Sequence, residues 1–242
     1  VQKLLDDLNT AGIPSYIICS YDFDGRPVKG PYGRNIEYFA DYITSINMVA
    51  TVPSIKRFMA DDDEYFHYLY NKFDNFYFDD YIPDKGFDHL IPSDSQYLDF
   101  LKFVYHNYPD INPMADLIEN ESNHMHCMAL NKVTIFPDNS ISNCRWNRYT
   151  KTDFNTPLNR GDNASMMQAY MDEHGCLSCK WWDKCGFRCY TQWDWKNRER
   201  DLPDCVMRMW FNYQQQYQET HMQLESDVAY MQEPLYQYTS SG

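Results

Sequence analysis

Along the first half of the chain, apolar residues switch repeatedly between helical and strand spacing. Val1, Leu4, Leu5 and Leu8 fall three and four apart, the stripe of an amphipathic helix. Gly12-Ile13-Pro14 breaks that stripe, and Tyr16-Ile17-Ile18-Cys19 reads as a short buried strand followed by a loop over 20–27. Ile36, Phe39, Ala40, Tyr42 and Ile43 return to helical spacing, and residues 46–52 form a second apolar strand that stops at Pro53. A helix over 55–70, broken near an acidic run, leads to a third strand at Phe76-Tyr77-Phe78, and residues 97–105 make a further helix. This order predicts right-handed crossovers and an α/β fold, with a parallel sheet or part of a (β/α) barrel.

The pattern changes over 107–123, where Pro109, Pro113 and several Asn and Asp residues interrupt it. A domain boundary is placed there, dividing the chain into 1–110, 111–235 and a polar, frayed tail over 236–242. Beyond the boundary, Lys132-Val133-Thr134-Ile135-Phe136 and Ser140-Ile141-Ser142 flank Pro137-Asp138-Asn139, a hairpin signal. A cysteine-rich block and a long helix over about 203–232 complete the chain. Val1 begins in mid-stripe with no cap and no initiator Met, so the chain reads as the downstream part of something longer.

Composition narrows the class. With 21 Lys and Arg against 35 Asp and Glu, the net charge of −14 repels phosphate backbones and anionic lipid. No nucleic-acid or membrane partner is expected. No apolar run reaches the roughly 20 residues of a membrane span, and no secretory signal opens the sequence. A reducing, cytoplasmic setting follows as the default, and in it clustered cysteines are metal ligands rather than disulfides.

Seven of the eight cysteines lie between Cys127 and Cys205, and four of them read Cys176-x2-Cys179-x5-Cys185-x3-Cys189. Cys176 and Cys179 can meet one metal corner across a tight turn, and Cys185 can wrap round to a third. Cys189 follows too closely to complete the same centre with ease, which leaves Cys205 free to close it. Two-cluster ferredoxins likewise send the last cysteine of such a run to the other cluster. The spacing also admits a single structural zinc on Cys176, Cys179, Cys185 and Cys189.

Taken with Cys127-x11-Asn139-x4-Cys144 upstream and Cys205 downstream, the block resembles the SPASM domain of radical S-adenosylmethionine enzymes. All seven cysteine positions of that family's pattern are filled in order; Asn139 stands where the family has glycine. The resemblance implies two auxiliary 4Fe–4S clusters, one on Cys176, Cys179, Cys185 and Cys205, the other on Cys127, Cys144 and Cys189. It implies a fold of partial radical-S-adenosylmethionine barrel followed by a small α+β SPASM domain with a hairpin, cysteine-rich loops and a C-terminal helix. The family's C-x3-C-x2-C triplet, which binds the cluster that cleaves S-adenosylmethionine, has no counterpart here. The segment alone is therefore expected to bind clusters without turning over; the cofactor and a third 4Fe–4S cluster belong to the intact protein. Ser20-Tyr21-Asp22-Phe23-Asp24-Gly25 resembles the strand end beside the cofactor in that family, which makes Ser20 and Asp22 candidate cofactor contacts. Implied partners are a peptide or protein substrate, modified through hydrogen abstraction and electron relay, and an electron donor such as flavodoxin or ferredoxin. The alternative from another class is a zinc-stabilised, non-catalytic interaction module.

Other conspicuous residues receive plainer readings. Cys19 is a small buried hydrophobe. His124 and His126 could supply a missing ligand to the first cluster but read first as solvated loop residues. Asp61-Asp62-Asp63-Glu64 places favourable charge at a helix N-terminus. The aromatic run from Tyr65 to Phe78, lacking positive charge beside it, is core and interface. Trp181-Trp182 and Trp193-x-Trp195 are an apolar shield for the cysteines.

Overall fold

The computed structural model describes residues 2–13, 15–21, 31–81, 87–112, 114, 134–135, 141–142, 168–169, 171–185 and 201–232. Helix α1 (Gln2–Thr10) ends where the apolar stripe ends. Gly12, at φ +76°, turns the chain left-handed, so that Ile13 N–H reaches the Leu8 carbonyl and Gly12 N–H the Asn9 carbonyl. Strand β1 (Ile17–Tyr21), helix α2 (Pro31–Tyr38), strand β2 (Ile43–Ala50), helices α3 (Val52–Met59) and α4 (Glu64–Lys72) and strand β3 (Phe76–Asp80) follow. The three strands form a parallel sheet in the order β1-β2-β3. A single bridge from Tyr77 to Asn112 extends the β3 edge.

Register puts Cys19, Ile46 and Phe76 in one row across the sheet and Tyr21, Met48 and Phe78 in the next. Both rows face the core, where Ile46 and Met48 are fully buried and Phe76 and Phe78 nearly so. The alternate positions face away, and there β1 departs from expectation. It is not buried on both sides: Ile18 is 53% exposed, because the side chains of an edge strand alternate and only one face meets the helices. The second helical stretch also stops earlier than its spacing suggests. After α2 the chain tightens into a 3-10 turn at Ala40–Tyr42, and Ile43 already pairs with Ile17.

The acidic run breaks the next helix into α3 and α4. Its charge sits at a helix N-terminus as expected, with Asp63 capping α4 by accepting the amides of Tyr65 and Phe66. Helix α5 (Asp94–Asn107) starts from a capping box in which Ser93 and Gln96 serve each other's backbone. Strands β4 (Thr134–Ile135) and β5 (Ile141–Ser142) pair antiparallel, as the hairpin signal predicts. Helix α6 (Val206–Gln232) packs on α5, and its Val206, Met207, Trp210 and Phe211 join the same buried core as the sheet. Among the described residues no helix is long and apolar enough to cross a membrane.

Candidate metal centre

The cysteine-bearing stretch folds through consecutive tight turns. Gly175, left-handed at φ +59°, opens a 3-10 turn over Cys176–Ser178, and Cys179 N–H closes on the Cys176 carbonyl at 3.0 Å. Trp182 N–H then bonds the Cys179 carbonyl, and Cys185 N–H bonds the Trp181 carbonyl at 2.8 Å. Cys205 arrives from the far side, directly ahead of the first residue of α6. Its carbonyl accepts Met209 N–H, and its own N–H is held by the Asp204 carboxylate at 2.7 Å.

These four cysteines line one small cavity of about 20 Å³. Its walls include Trp181, Trp182, Met207 and Phe211, with His174 and Arg208 as the basic side chains on it. Trp181 stacks on Phe211 with ring centres 5.4 Å apart, and its indole N–H donates to Asn212 at 3.0 Å. Burial pushes the Cys176 thiol up to about 11, Cys205 and Cys179 push it the same way, and Arg208 opposes them. Sulfurs that repel one another in this way share one neighbourhood. None of the described cysteines is in a disulfide.

Among the described residues, no group of three or more His, Cys, Asp or Glu side chains is disposed to hold a single metal ion. A lone zinc ion with bonds of about 2.3 Å would need its four sulfurs roughly 3.8 Å apart. A cubane holds its thiolates further apart, each on a separate iron. Four thiols on one apolar-walled cavity supply the donor set that either group takes.

Of the other predicted site residues, Cys127, Cys144, Cys189 and Asp22 lie outside the described residues, as do His124, His126, Trp193 and Trp195. Ser20 is exposed near the C-terminal end of β1, in register with Asn47 and Tyr77 on the sheet face opposite the core. On that face Asn47 donates to Asp79 at 3.2 Å. Cys19 is half-buried against the core and is not among the residues lining the thiol cavity. Sequence reasoning missed His174 and Arg208. The signal for Arg208 was present in Asp204-x3-Arg208, a helical ion-pair spacing that brackets Cys205.

Comparison with protein families, with curated proteins and with solved structures gives no match.

Proposed function

We propose that the chain is the C-terminal portion of a radical S-adenosylmethionine enzyme of the SPASM type, carrying two auxiliary 4Fe–4S clusters. The observation that carries this reading is the presence of Cys205 on the same cavity as Cys176, Cys179 and Cys185. That set is the one the family pattern assigns to a single cluster; Cys189, the fourth member of the zinc set, lies outside the described residues. Bound there, the cluster would supply one-electron transfer to or from a substrate radical, or a site at which substrate attaches. The chain's own part is to present four thiolates, to hold Trp181, Trp182 and Phe211 against them as an apolar wall, and to limit water. Cys127, Cys144 and Cys189 would hold the second cluster. Ser20 and Asp22 would contact S-adenosylmethionine once the rest of the barrel and the third cluster are present. Peptide or protein substrates, a flavodoxin- or ferredoxin-like donor and a reducing cytoplasm belong to the same reading.

Anaerobic reconstitution with iron and sulfide tests it. The expected product is brown and holds about eight irons per chain, falling to about four in Cys205→Ser. Colourless protein with one zinc per chain would replace this reading with the zinc-stabilised interaction module. Full iron content in Cys205→Ser would remove Cys205 from the ligand set.

A further inference from the structure

Arg208 occupies the first turn of α6, three residues beyond Cys205, with its side chain 30% exposed. Two of its donors are committed: Nη1 to Asp204 Oδ1 at 2.9 Å, and Nη2 to the His174 carbonyl at 3.0 Å. A guanidinium is a rigid planar fork, so fixing two arms fixes the direction of the others. The group lines the thiol cavity together with Cys176, Cys179, Cys185 and Cys205. Among the described residues lining that cavity it is the one permanent cation, in a chain of net charge −14.

We infer that Arg208 sets the reduction potential of the centre held by Cys176, Cys179, Cys185 and Cys205, with Asp204 as its counterweight. The inference rests on the proposed cluster. Reduction adds one electron to a centre already made anionic by four thiolates. A fixed positive charge on the wall of the site stabilises the more negative state, and so raises the potential. Asp204 works against this by neutralising part of the guanidinium charge while it positions the fork. Arg208 is thus a positioning and tuning residue rather than a ligand.

The test is a mediated redox titration of the reconstituted 242-residue chain, followed by electron paramagnetic resonance after iron has been counted. The electron comes from a low-potential chemical reductant such as dithionite. Arg208→Gln is expected to shift the one-electron equilibrium of one centre about tenfold towards the oxidised form, about 59 mV lower, and to leave the second centre's wave in place. Asp204→Asn is expected to move the same centre upwards. A structural role alone would not give opposite signs. An unchanged potential in iron-replete Arg208→Gln, or movement of both variants in one direction, overturns the inference while leaving the cluster reading intact. If Arg208→Gln takes up no iron, the direction of Asp204→Asn decides. Wild-type protein that takes up zinc and no iron overturns both readings, and the metal count shows this before any titration.

Discussion

Removing the Asp201 carboxylate is expected to weaken the fold only where that carboxylate is charged. Asp201 lies four residues ahead of Cys205 and reaches across to the start of α5. It accepts Asp94 N–H at 3.1 Å, Ser95 N–H at 3.2 Å and the Ser95 hydroxyl at 2.5 Å. With Ser93 taking Gln96 N–H at 3.2 Å, the first three amides of α5 are all satisfied. Burial would raise the Asp201 carboxyl, but hydrogen bonds from the Ser93 and Ser95 hydroxyls and from the Ser95 amide outweigh it and bring it from 3.8 to about 2. Just under two units at 1.36 kcal/mol each would be about 2.4 kcal/mol. The group is exposed, so solvent screening reduces this to about 1 kcal/mol. A depressed folded-state value means the contribution is complete above about pH 4 and is lost as pH falls towards about 2. The assay is urea unfolding of reduced, metal-free wild type and Asp201→Asn by tryptophan fluorescence across that range. A stability gap of about 1 kcal/mol at pH 7 should close by about pH 2. A gap that ignores pH, or none at pH 7, would refute the clamp.

Two further substitutions probe the scaffold. Phe58 is 2% exposed and meets the rings of Phe66, Phe78, Phe100, Phe103 and Tyr108 at centre distances from 4.9 to 5.9 Å. Phe58→Ala should cost about 3–5 kcal/mol in urea unfolding; a loss under about 1 kcal/mol would mean that this cluster is not the centre of the core. Gly12→Ala should cost about 1 kcal/mol although nothing lies within 4 Å of the added Cβ, because the penalty is the left-handed backbone alone. Gly12→Asn should lose less in the same urea unfolding, and an equal loss would point to sterics instead.

What the sequence displayed depended on how local the determinant was. The capping of α4 by Asp63 and the break at Gly12 lie within a few residues of what they control, so composition and spacing were enough. The end of α2 was not legible: Ile36, Phe39, Ala40 and Ile43 satisfy helical spacing, yet Ile43 also starts the β2 alternation, and only its pairing with Ile17 decides between them. The exposure of Ile18 was hidden for a related reason, since a short apolar run does not announce that one of its faces is uncovered. The tight turn joining Cys176 to Cys179 could be read from their spacing. The Asp201 clamp joins residues 106 and 107 positions apart, and no local pattern records it. Arg208 was passed over because an arginine within an amphipathic helix ordinarily faces water.

The first two turns of α6 serve two neighbours at once. Trp210, wholly buried, meets Tyr105 of α5 edge-on at 5.3 Å, while the adjacent Phe211 lies flat beneath Trp181 at the thiol hollow. One wall of the sulfur-lined chamber is therefore also the packing surface of a helix pair, so how closely α6 beds against α5 bears on the depth of the hollow.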